Sequence, residues 1–118
     1  MGWGAGKSIT VAFTQQPKEV FDALAQISQS LDGFEPGAAD SNTWTVTYVK
    51  GISLTSWGEK AWAQVTQGPD GRTWVTVTSK LNFGLIDYGK NTKNVNAIVE
   101  AVSARLGQAD VVKPLAGV

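Results

Sequence analysis

Apolar and polar residues alternate from Ser8 to Thr14, with Ile9, Val11 and Phe13 on one side and Ser8, Thr10 and Thr14 on the other. A period of two marks a half-buried strand. The period then lengthens. Val20, Leu24, Ile27 and Leu31 recur at helical spacing, broadened by Phe21, to form one apolar stripe. Pro17 suits the first turn of that helix, Glu19 suits its positive end, and Asp32-Gly33 stops it. Residues 35–42 read as a loop. From Thr43 the period returns to two, with Trp44, Val46 and Tyr48 on one side, and Lys50-Gly51 reads as a tight turn. A second short strand is expected from Ile52 to Trp57 and a third from Glu59 to Gln67. Gly68-Pro69-Asp70-Gly71 is the strongest turn signal in the chain, and Arg72 to Lys80 returns as a strand. Residues 81–89 are apolar but interrupted by glycines, as in a packed loop. From Asn91 the spacing of Val95, Ile98, Val99, Val102 and Leu106 predicts a second helix, ended by Gly107.

These elements predict an α+β fold in the order β-α-β-β-β-β-α. Two helices with single apolar stripes and an antiparallel meander fit a two-layer sandwich, both helices on one sheet face. Residues 8–107 form the single expected domain. Residues 1–7 are expected to be a flexible leader, and residues 108–118, with Pro114 and little pattern, a flexible tail.

Composition narrows the chemistry. The 118 residues contain five tryptophans but no cysteine and no histidine. Thiol nucleophiles, disulfides, thiolate zinc sites, imidazole bases and Ser-His-Asp triads are therefore ruled out. No cofactor or metal is expected. Ten basic and ten acidic side chains cancel. Residues 1–42 carry two lysines against five acids, whereas residues 43–93 carry six basic groups against three acids. A neutral chain gives little long-range attraction to nucleic acid, so no nucleic-acid partner is expected. No apolar run approaches the roughly 20 residues of a membrane span. The first residues do not resemble a signal peptide, so the expected location is cytoplasmic.

Gly6-Lys7-Ser8 resembles the end of a phosphate-binding loop, but the first glycine of that motif would fall on Met1, and Ser8 opens a strand rather than a helix. Candidate acid–base groups are Glu59, Asp87, Lys60, Lys90 and Lys93. No spacing pairs them, and acid–base chemistry would require Glu59 or Asp87 to be buried beside a lysine in a cleft. The chain is accordingly expected not to be an enzyme.

Two segments echo each other: Ser56-Trp57-Gly58-Glu59-Lys60 and Asp87-Tyr88-Gly89-Lys90-Asn91. Each glycine permits positive φ at a bend beside its aromatic. The structural reading is a pair of strand bends or helix starts. The functional reading is a shared patch at the start of the second helix that receives an anionic or carbonyl group. Among the tryptophans, Trp3 falls in the leader, Trp44 on a core strand and Trp57 in a turn. Trp62 and Trp74 alternate out of phase with the small aliphatic residues and resist a core position. They imply an exposed aromatic–threonine sheet face or a lined cleft.

The stretch from Ser8 to Leu106 resembles a family of small bacterial domains marked by Ser56-Trp57-Gly58-Glu59 and by Asp87-Tyr88-Gly89-Lys90-Asn91. The element order also resembles the TATA-binding-protein-like and helix-grip architectures, in which a sheet bends around a long C-terminal helix. These resemblances imply the fold and assign no catalytic residue. A DNA saddle would carry basic and wedge residues where threonine dominates here. The expected function is a non-catalytic binding or protein-interaction module. Its candidate residues are Trp57, Trp62, Trp74 and Tyr88 as packing surfaces, with Lys60 and Lys90 as polar contacts. Expected partners are another protein or a second copy, or else a small apolar or amphipathic ligand in a helix-grip cleft. A pocket of about 300 Å³ lined by aromatics would favour the apolar ligand.

Overall fold

The computed structural model describes residues 5–50, 58–82 and 89–118. Strand β1 (Gly6–Phe13) leads into helix α1 (Pro17–Ile27). Strands β2 (Ala39–Asp40), β3 (Thr45–Lys50), β4 (Glu59–Gln67) and β5 (Thr73–Leu81) follow, then helix α2 (Lys90–Leu106) and strand β6 (Asp110–Gly117). The strands form one sheet in the order β2-β3-β4-β5-β1-β6. All its pairings are antiparallel. The fold is α+β, a sheet with both helices packed on one side, as the periodicities imply.

Alternation decides which side of the sheet is covered. Val11, Phe13, Val46, Tyr48, Ala61, Ala63, Val65, Val75 and Val77 are all buried and belong to one apolar cluster with the helices. From α1 come Val20, Phe21, Ala23, Leu24 and Ile27, and from α2 Val95, Ile98 and Val102. The alanines of β4 leave room for the helices to approach. Gln15 ties the far end together, its Nε2 donating to the Leu106 carbonyl at 2.6 Å.

Tyr48 is the largest fully buried side chain of this core. Its hydroxyl donates to the Leu24 carbonyl at 2.9 Å, fixing β3 against α1. Burial pushes the phenol well above its ordinary range. The unfolded chain loses this proton near pH 10 while the folded chain keeps it, so this contribution to stability is complete below about pH 10 and is lost as the pH rises further. Stability should therefore fall by about 1.4 kcal/mol per pH unit in that alkaline range from this group alone. Urea denaturation of the wild type and Tyr48→Phe across pH 9–11 checks this. The difference between the two should shrink as pH rises, and a constant difference would contradict it.

Three expectations are corrected. The tail is a strand: β6 pairs with β1 along its length, with irregularities between Ser8 and Thr10 and between Thr10 and Val11. It escapes pattern reading because it is an edge strand with little burial, leaving Val111, Leu115 and Val118 exposed. Alternation records a buried face, which β6 lacks, and an edge tolerates Pro114. Strand β1 also begins earlier, at Gly6, inside the expected leader. Finally, Trp44 is not a core strand residue. It has φ +54° and is 37% exposed, its ring meeting Phe21 edge-on at 5.3 Å. A left-handed backbone at a tryptophan costs on the order of 1–3 kcal/mol and rotates the side chain out of the strand's alternation. Strand β2 adds a short pairing inside the expected 35–42 loop. The expected strand from Ile52 to Trp57 lies outside the described residues, as does most of the 81–89 segment.

Candidate functional site

At one end of the sheet the helix-facing row turns polar. The residues that continue the lines of Val46 and Tyr48, of Ala63 and Ala61, and of Val75 and Val77 are Lys50, Glu59 and Ser79. Lys50 and Glu59 lie directly opposite each other, and Glu59 pairs with Leu81 on the other side. The start of α2 lies over this end. It brings Lys90, Lys93 and Asn94 to a cleft of about 200 Å³, which is lined by Lys50, Glu59, Gly89, Lys90, Lys93 and Asn94.

Behind Glu59 and Asn94 of the cleft lies a buried hydrogen-bond network. Asn91 Nδ2 donates to the Ala5 carbonyl at 2.6 Å, and Asn91 Oδ1 accepts from Ser79 Oγ at 2.8 Å. Asn94 Nδ2 donates to Ser79 Oγ at 3.1 Å and reaches Glu59 Oε1 at 3.4 Å. Ser79, Asn91 and Asn94 are essentially inaccessible and Glu59 is 4% exposed. Satisfied polar networks of this kind are stiff, and they hold their members in one arrangement. Lys50 is oriented from another direction. Its ammonium lies over the Phe34 ring, 5.0 Å from the centroid, and Phe34 meets Tyr48 edge-on.

Helix α2 starts in an unusual electrostatic state. Its N-cap is Gly89 at φ +79°, with no side-chain cap, and its first turn holds no acid. Lys90 and Lys93 instead stand at the positive end of the helix dipole, where cations are unfavourable. Arg105 in the last turn has the favourable placement.

The two echoing segments thus converge in part. Gly58 and Gly89 both have positive φ, as the bend reading requires. Glu59 from the first segment and Lys90 from the second line the same cleft. Trp57 and Tyr88 lie outside the described residues. Glu59 is buried in a cleft with lysines, the geometric condition set above for acid–base chemistry, whereas Asp87 is outside the described residues.

Lys60 is not part of the cleft. It alternates with Glu59 and Ala61 and lies on the open face of the sheet, directly across from Lys80. Trp62 is on the same face, half-buried, in one row with Thr47, Thr78 and Ser8. The next row is Thr45, Gln64, Thr76 and Thr10, with the hydroxyls of Thr10 and Thr76 3.0 Å apart. The aromatic–threonine face is therefore present. Trp74 also stands on it, but its ring has a structural task. It covers Gly68, where a Cβ would come within 2.3 Å of Nε1, and Nε1 donates to Asp70 Oδ1 at 3.0 Å. Asp70 also accepts from the Arg72 backbone N–H and guanidinium, which hold its carboxyl below the usual range. Trp62 and Trp74 lie four residues apart in register, roughly 14 Å along the strands, so they do not form one stacking surface.

A second cavity, of about 340 Å³, lies between the helices and is lined by Glu19, Asp22, Ala23, Gln26, Arg105 and Leu106. No aromatic side chain among the described residues lines either cavity. Among the described residues no cluster of three metal-ligating side chains is present, and no helix is long and apolar enough to cross a membrane.

Sequence reasoning singled out Glu59, Lys90 and Lys93 but not Lys50, Ser79, Asn91 or Asn94. A signal for the asparagines was present. Asn91 and Asn94 precede Val95, Ile98 and Val102 at helical spacing, which puts them on the buried stripe.

No family model and no curated protein matches the chain. Solved structures do. The di-domain ARO/CYC StfQ from the steffimycin biosynthetic pathway aligns with a TM-score of 0.59 at 13% identity, covering 85% of this chain and 44% of that one. The chain thus spans less than half the length of that protein. Ara h 8.0201 aligns with a TM-score of 0.59 at 12% identity, covering 87% of this chain and 98% of that one. The fold is a helix-grip-like sandwich. At these identities the likeness carries the fold alone, since one fold hosts many functions. In this chain the cleft lies between the end of the sheet and the start of α2.

Proposed function

We propose that this domain is a non-catalytic binding module that holds a small anion-bearing ligand in the cleft between the end of the sheet and the start of α2. The observation that carries the reading is the convergence of three lysines, from β3 and from α2, on one cleft of about 200 Å³ backed by a buried hydrogen-bond network. An anion there offsets the mutual repulsion of Lys50, Lys90 and Lys93. It also answers the dipole of α2, whose first turn has no carboxylate of its own. The polar lining favours a hydrophilic or amphipathic ligand over a purely apolar one.

Calorimetric titration with succinate tests the reading. Wild-type protein should bind it, more weakly as salt increases, and the double substitution Lys90→Ala with Lys93→Ala should weaken binding about tenfold or more. Lys60→Ala, on the opposite face of the sheet, should leave affinity unchanged. Equal affinity in all three proteins would remove the cleft as the site.

The position of Glu59 supports a second reading, an enzyme using its carboxylate for proton transfer. The two readings separate on the fate of the ligand. Prolonged incubation with malate in D2O, followed by proton NMR, should leave the ligand unchanged for a binding module. Exchange or conversion that disappears in Glu59→Gln would establish catalysis.

A further inference from the structure

The cleft has a second chemical element besides its lysines, and resting on the reading above, the geometry points to a ligand class: a small dianion that also carries a hydroxyl group, with Glu59 selecting the hydroxyl. Among the described residues lining the cleft, Lys50, Lys90 and Lys93 supply three ammonium groups and Glu59 one carboxylate, an excess of two positive charges. Two negative charges on the ligand match that excess.

A simple dianion would nevertheless meet Glu59 as a like charge. The carboxylate is not free to turn away. Glu59 is 4% exposed, and Asn94 faces its Oε1 from α2. Asn94 is fixed in turn by Ser79, and Ser79 by Asn91. A carboxylate accepts hydrogen bonds and donates none, so the ligand group most compatible with it is a donor. A hydroxyl on the ligand converts a repulsive contact into a charge-assisted hydrogen bond while the anionic groups remain with the lysines. Size agrees with this class. A cleft of about 200 Å³ corresponds to roughly six or seven water volumes, room for a molecule of roughly seven to ten non-hydrogen atoms. Hydroxydicarboxylates and phosphorylated polyols both satisfy these requirements.

Two probe pairs separate the possibilities by calorimetry: malate against succinate, and glycerol 3-phosphate against propyl phosphate. Within each pair the hydroxylated member should bind about tenfold or more tightly to the wild type. The pair with the stronger binding identifies the anion as carboxylate or phosphate. In Glu59→Gln the preference within that pair should fall toward unity, with the plain dianion gaining affinity as the repulsive charge is removed. Thermal unfolding of Glu59→Gln establishes that it is folded. If it is not, the preference within each pair in the wild type still decides the matter.

Plain dianions that bind as well as hydroxylated ones would overturn the hydroxyl selection and leave the cleft reading standing. Probes that fail to bind at all would overturn both.

Discussion

Gly37→Ala is expected to destabilise the domain by about 3 kcal/mol or more, because the added methyl group meets backbone rather than a movable side chain. A Cβ at this position would lie 1.7 Å from the Thr47 carbonyl oxygen and 2.8 Å from its carbon. Both are backbone atoms of β3, so no side chain can swing aside to make room. The glycine is held from several directions. Its N–H donates to the Ser28 carbonyl at 3.1 Å, its carbonyl accepts from Gln29 Nε2, and the next residue, Ala38, accepts from Thr47 N at 2.8 Å. Inserting the methyl group must therefore separate the loop from β3 or from the end of α1, breaking hydrogen bonds of about 1 kcal/mol each in addition to the steric strain. Because β3 carries both Tyr48 and Lys50, the effect should extend to the core and to the cleft. Urea unfolding followed by circular dichroism measures it, and an unchanged midpoint would mean that the loop does not pack on β3 as described.

The second large effect is expected for Asn91→Ala, about 1–3 kcal/mol. Asn91 has no accessible surface and uses both ends of its amide, donating to Ala5 and accepting from Ser79. Truncation leaves the buried Ser79 hydroxyl without its acceptor and removes one of two donors to the Ala5 carbonyl, which keeps the Leu81 N–H at 3.0 Å. The unsatisfied hydroxyl donor costs about 1–3 kcal/mol, reduced where Ser79 reorients or a water enters. Ser79 also orients Asn94, so the damage should reach Glu59. Thermal and urea denaturation give the magnitude. A change below about 0.5 kcal/mol would show that the network contributes nothing to stability.

The sequence made the layers legible because each one rests on burial. Val11 with Phe13, Val46 with Tyr48, Val75 with Val77, and the stripes of Val20, Leu24 and Ile27 and of Val95, Ile98 and Val102 all face the same interior. Strand β6 was not legible, since its order comes from pairing with β1 rather than from a buried face. Trp44 was misplaced for a different reason: a single left-handed residue breaks the alternation from which its direction was inferred. At the cleft, the echo of Gly58-Glu59 in Gly89-Lys90 falls on Glu59, Gly89 and Lys90, which line one cavity. It could not reveal that Lys60 points to the opposite side of the sheet, because the face of a strand residue depends on register and changes at every step. Lys50, Ser79 and Asn94 were hidden by distance along the chain. Only the pairing of β3, β4 and β5 under α2 brings them together.

The contest between the cleft and the open sheet face is the central question about this domain, and backbone amide NMR during titration with malate decides it most directly. Chemical-shift changes should concentrate at the end of β3, the start of β4 and the first turn of α2, around Lys50, Glu59, Lys90, Lys93 and Asn94. Changes that center instead on Trp62 and its threonine neighbours on the open face, with the cleft amides unmoved, would contradict the account.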